Sequence, residues 1–128
     1  MNARLAARIF AILIAVVGVF QLALALGAPW GRFAMGGAFP GAYPPPMRVV
    51  ALAQIGALLA MALVVLSRAG LTLPAWRAVS KWLVWGVVAL AGVGIVLNLI
   101  TPSPMERLIW APVASALLLT ALRVAVSR

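Results

Sequence analysis

Glu106 is the only acidic side chain in this 128-residue chain, set against ten Lys and Arg, and the sequence contains no His, Cys or Asp. The chemistry open to such an inventory is narrow. Without thiols there is no thiol–disulfide exchange, the quinone-linked kind included. Without His or Cys there is no histidine–cysteine zinc site and no haem ligation by those residues. A Ser-His-Asp triad lacks two members, and a paired-carboxylate mechanism lacks one. A single carboxylate holds a hard cation only weakly, with backbone carbonyls making up the rest. No catalytic residue, metal or cofactor is therefore assigned, and classical enzyme chemistry is disfavoured. An electrostatic mechanism, or one acting on lipid phosphate, is the enzymatic reading that survives.

The remaining polar side chains in strongly apolar surroundings are Gln21, Gln54, Asn98 and Ser115. An amide in hydrocarbon is costly unless partnered, so these four are expected to face the interior of a bundle. Small residues share their faces: Gly18 and Ala25 with Gln21, Ala91 and Gly94 with Asn98, and Ala111 with Ser115. Two uses follow. As interhelical glue, each amide bond contributes about 0.6 kcal/mol on average. As a site, Gln21, Gln54 and Asn98 would line a shallow pocket whose rim carries Trp30, Arg32, Glu106, Arg107 and Trp110.

The elements that position these residues follow from composition. The chain is 66% hydrophobic and 9% charged, with a mean hydropathy of +1.20. Soluble domains are about one-quarter charged. A small soluble globule of this composition would expose an aggregating apolar surface, whereas lipid makes that surface the correct one. Residues 9–31, 49–67 and 82–105 are uncharged stretches of 23, 19 and 24. A spanning helix needs about 20 apolar residues, so three stretches qualify outright. The fourth, residues 108–122, has 15. It reaches length if its helix starts near Pro104 and Arg123 snorkels to the headgroups.

Breakers mark the ends. Gly27-Ala28-Pro29-Trp30-Gly31 and Pro44-Pro45-Pro46 bound a long first loop, Gly70 follows the cation Arg68, and Pro74 suits a first helical turn. Ser103-Pro104-Met105-Glu106 reads as a capping box in which Glu106 reaches back to the Ser103 amide. The expected architecture is one all-α domain over residues 1–128, an integral membrane four-helix bundle with helices at about 4–27, 47–68, 74–100 and 104–126. The first helix is read as retained, because its apolar core exceeds that of a signal peptide and runs unbroken towards Pro29. Pro112 is expected to kink the last helix by denying the Leu108 carbonyl its donor. The first loop, of about 20 residues, is long for so small a protein, and lid-like packing over the bundle mouth would explain its length and glycines. Glu106 is expected to pin that loop by pairing with Arg32 or Arg107.

Basic residues orient the bundle. Arg4, Arg8, Arg68, Arg77, Lys81, Arg123 and Arg128 fall on the side of the termini, and Arg32, Arg48 and Arg107 on the other. Both termini are expected to be cytoplasmic. Trp76, Arg77, Lys81, Trp82 and Trp85 form the expected inner-leaflet anchor on membrane lipid. The cations are dispersed rather than gathered in one stripe, so the net charge of +9 does not indicate nucleic acid.

Two stretches, Gly27-Ala28-Pro29-Trp30-Gly31 and the run Ile100 to Val113 with Glu106-Arg107, Trp110 and Pro112-Val113, resemble a group of small, uncharacterised four-span bacterial membrane proteins. The resemblance implies topology and a bacterial cytoplasmic membrane, and carries no established activity. Small multidrug exporters depend on a glutamate in the first helix, which this first helix lacks. Three function classes remain. A structural or accessory subunit, associating as a homo-oligomer or with a membrane-protein partner through small-residue faces, is favoured. The alternatives are a small channel or transporter component, or a lipid or apolar-ligand binder with an outer-side pocket. In the last of these, Arg32, Arg48 and Arg107 would meet phosphate.

Overall fold

Caps and breakers set every helix end. In the computed structural model, which describes residues 1–127, Asn2 Oδ1 accepts the Leu5 amide at 2.7 Å and opens α1 (Ala3–Ala25). Arg128, counted in the charge argument, lies outside the described residues. α1 stops two residues short of the expected end because Gly27, at φ 101, turns the chain left-handed. The Ala28 amide then bonds the Ala23 carbonyl at 2.9 Å and the Gly27 amide bonds that of Leu24 at 3.2 Å, a Schellman close. α2 (Pro45–Arg68) starts two residues early, since Pro45 and Pro46 sit where helical N–H groups have no partner anyway. It closes the same way through Gly70, with Leu71 bonding Leu66 at 2.9 Å. A 3₁₀ turn at Pro74–Trp76 leads into α3 (Arg77–Ile100), and α4 (Pro104–Ala125) follows. α4 stays helical through Pro112.

The four helices alternate in direction. α1 packs on α2 and α4, α3 packs on α4, and the α2–α3 seam is the least closely packed of the four. Both termini therefore lie at one end, where Arg123 Nε donates to the Met1 carbonyl at 2.8 Å and Arg68 donates to that of Ser127. All four helices are long and apolar enough to cross a membrane, and between 17% and 28% of each span's most apolar window is buried. The rest of that apolar surface faces outward, as a bilayer requires and water forbids. This is the architecture of a multi-pass membrane protein.

Packing is uneven along the bundle axis. At the termini end, Phe10, Val65, Val84 and Val124 are fully buried in one shared core. Towards the other end the facing positions are small, with Ala57, Ala91, Gly94 and Ala114 around an open space. A second, smaller core of Leu24, Ala34, Tyr43 and Ala51 lies beneath the 26–44 loop. The bundle is dense at one end and hollow at the other.

Candidate functional site

The hollow end holds a cavity of about 470 Å³. Each helix contributes a polar group to its wall: Gln21 from α1, Gln54 from α2, Asn98 from α3 and Glu106 from α4. Phe20, Phe33 and Trp110 supply aromatic surface, and Val17, Leu58, Met61 and Leu117 supply aliphatic surface. Neither Gln21 nor Asn98 bonds another helix. Asn98 Nδ2 donates to the Gly94 carbonyl, one turn back, at 2.8 Å, and Gln21 Oε1 is buried without a partner. Ser115, likewise, donates to the Ala111 carbonyl of its own helix at 2.8 Å.

The 26–44 loop covers the cavity as a lid. Two 3₁₀ turns, Gly31–Phe33 and Met35–Gly37, fold it back on itself, and the Gly31 amide bonds the Gly41 carbonyl at 2.8 Å. Gly31 must be glycine: a Cβ there would lie 1.8 Å from the Phe39 carbonyl oxygen. Three bonds fasten the lid to the start of α4. Gly36 N–H donates to Glu106 Oε2 at 2.9 Å, Ser103 Oγ to the Arg32 carbonyl at 3.0 Å, and Trp110 Nε1 to the Phe33 carbonyl at 2.9 Å. Met35, Gly36 and Gly37 all have positive φ (53°, 67° and 76°). For Met35 this conformation costs on the order of 1 kcal/mol, which the three bonds on either side of it offset.

Glu106 thus pins the loop by a route different from the expected one. It forms no ion pair with Arg32 or Arg107. Its Oε2 takes the Gly36 amide and the Thr101 hydroxyl, the latter at 3.1 Å. Arg107 instead donates to the Thr101 carbonyl at 2.8 Å, and the Arg32 guanidinium lies 4.6 Å from the Phe33 ring centre. The capping box is half formed. Ser103 Oγ accepts the Glu106 amide at 3.2 Å, but the Ser103 amide goes to Thr101 Oγ1. The carboxylate is drawn to the lid because a left-handed glycine offers it an unpaired N–H.

Five of the eight residues grouped as an outer-side cluster line the cavity: Gln21, Gln54, Asn98, Glu106 and Trp110. Trp30, Arg32 and Arg107 do not. Trp30 stacks on the far side of Phe20 (centroids 6.5 Å, planes 5° apart), and Phe20 meets Trp110 at 4.7 Å. Arg48 Nε is taken by the Tyr43 carbonyl at 2.8 Å. Burial, and secondarily the negative charge of Glu106, push the Tyr43 phenol above its ordinary pKa. Phe33, one of the first-loop aromatics expected on the outer side, lines the cavity, and so do Phe20 and Met35, which sequence alone does not mark because aromatic and methionine side chains read equally well as lipid-facing or core. At the opposite end Trp76, Trp82 and Trp85 are exposed, and Lys81 Nζ lies 5.9 Å from the Trp82 ring.

The site offers acceptors, one carboxylate and apolar walls, a composition suited to holding a molecule. No family model, curated protein or solved structure matches the chain.

Proposed function

We propose that this protein binds a small amphipathic molecule inside the bilayer, in the lidded cavity between its four helices. The observation that carries the reading is a cavity of about 470 Å³ to whose wall every helix contributes a polar side chain, Gln21 among them with its Oε1 buried and unpartnered. A helical bundle of this apolarity gains from closing such a space, and leaving an amide oxygen unpaired there costs about 1–3 kcal/mol. A bound ligand would fill the volume and meet the polar groups of its wall. Ala57 of α2 and Leu90 of α3 line the cavity and are also exposed, which supports entry from the lipid through the loose α2–α3 seam. The accessory-subunit reading rested on small-residue faces, and one of these, Ala91-Gly94-Asn98, lines the cavity. A conducting path finds no support, because the Phe10, Val65, Val84 and Val124 core closes the bundle below.

The basic residues near the termini and the exposed tryptophans support a cytoplasmic position for both termini in a bacterial cytoplasmic membrane, as does the resemblance to small four-span bacterial proteins. Gly94→Leu tests the binding reading. A Cβ at Gly94 meets nothing within 4 Å, so the leucine has room to enter the cavity. Small molecules extracted from the purified wild type and identified by mass spectrometry are expected to be missing from the folded variant. Identical small-molecule content in the two would overturn the proposal.

A further inference from the structure

We infer that the ligand's head is a hydrogen-bond-donating cation, a primary or secondary ammonium, received by Glu106. The inference rests on the binding reading above and names its ligand class. Among the described residues no Lys or Arg lines the cavity, whereas the single acidic side chain does. The three arginines on the lid side are engaged elsewhere: Arg32 over Phe33, Arg48 on Tyr43 and Arg107 on Thr101. A phosphate or carboxylate head would enter a low-dielectric space beside Glu106 with no cation to meet it, at a cost of several kcal/mol.

The hydrogen-bonding groups of the wall can receive such a head. Trp110 has spent its only N–H on the lid, and Asn98 has turned its amide nitrogen to Gly94. Unpaired groups on the wall are the second Glu106 oxygen, since the lid uses Oε2 alone, Asn98 Oδ1 and the Gln54 amide, and the one that carries charge is the Glu106 oxygen. An ammonium offers two or three donors to such a set. The aromatic faces of Phe20, Phe33 and Trp110 add attraction for a cation. Phe33 already receives one, since the Arg32 guanidinium lies over its ring. The polar groups of α3 and α4 sit at the lid end while Met61 and Leu117 lie deeper, so the head sits beneath the lid and the apolar body runs down the bundle. A cavity of about 470 Å³ matches the liquid volume of roughly fifteen waters. That is room for one medium alkyl chain with its head.

Decylamine, decanol and decanoate, titrated into protein held in zwitterionic lipid nanodiscs and read by native mass spectrometry, separate the possibilities. Gly94→Leu supplies the baseline for adsorption outside the cavity. Decylamine is expected to bind wild type about tenfold tighter than decanol, the worth of a charge-assisted hydrogen bond, with decanoate at baseline. Glu106→Gln keeps an acceptor for the Gly36 amide, so the lid stays fastened while the charge goes. In that variant decylamine is expected to fall to the level of decanol. Decanol or decanoate binding wild type as tightly as decylamine, or Glu106→Gln retaining the preference, overturns the cationic head but leaves the cavity reading standing. Binding of all three probes that Gly94→Leu does not reduce, or no binding at all, overturns the cavity reading itself.

Discussion

Glu106 shows how one side chain can be placed by its neighbours more than by its charge. Three arginines share its end of the bundle, yet it bonds the Gly36 amide and the Thr101 hydroxyl. A part-buried amide held at positive φ makes no bond within the lid itself, and a carboxylate is its strongest available partner. Glu106→Ala is expected to lower stability by about 1–3 kcal/mol, because the Gly36 N–H is then left unsatisfied. Glu106→Gln should lose much less, and thermal unfolding of the two variants in the same detergent compares them directly. Equal losses would mean that the charge matters and the bond to Gly36 does not. Tyr43 gives a second test at this scale. Its phenol is held above the ordinary value of 10.0 by burial and then by the Glu106 charge. As pH rises through 10.0 the unfolded chain loses this proton while the folded chain keeps it, so unfolding gains. Stability contributed by the neutral phenol is full below that pH and is lost as pH climbs through the raised folded value. Tyr43→Phe is expected to remove this part of the alkaline destabilisation; a variant that falls as steeply as wild type would contradict it.

Among the elements, the lid is the one whose conformation is most tightly specified. Gly31 sits against the Phe39 and Gly41 carbonyls, where a Cβ would approach to 1.8 and 2.7 Å. Gly31→Ala must push the 39–41 backbone aside and is expected to cost about 1–3 kcal/mol. Hydrogen exchange locates the damage: the amides of Gly31, Ala34 and Gly37, all bonded within the lid, should lose protection while those of α3 keep theirs. Uniform loss across the protein would show that the lid does not open separately. The helices are simpler. Each is bounded by proline or glycine chemistry readable from the chain, and differs from expectation by about two residues where left-handed Gly27 and the Pro45-Pro46 pair set the ends. Gly94→Leu should keep or raise thermal stability, since a glycine in mid-helix costs roughly 1 kcal/mol and the new side chain enters open space.

For the whole molecule the testable property is direction. The alternating helices put both termini at the end opposite the lid, and the basic residues argue that this end is cytoplasmic. The chain has no cysteine, so single replacements report sidedness without background. In intact bacterial cells an impermeant maleimide is expected to label Ala38→Cys in the lid and to spare Ser127→Cys until the membrane is opened. The reverse pattern would invert the bundle. Much of this architecture needs nothing beyond the sequence. Four charge-free stretches, the breakers between them and the cost of an unpaired backbone in lipid leave little choice but four helices. The sequence also places Gln21, Gln54, Asn98, Glu106 and Trp110 towards one end, because helical rise converts residue number into depth. Depth is not contact. Whether the amides would bond one another or face a void depends on how Ala57, Ala91, Gly94 and Ala114 meet across the bundle, and their smallness is compatible with either close approach or empty space. Which partner Glu106 would take depends on where a glycine 70 residues away presents its amide. Those two matters were decided only by tertiary structure, since packing volume and hydrogen-bond geometry are properties of several segments at once.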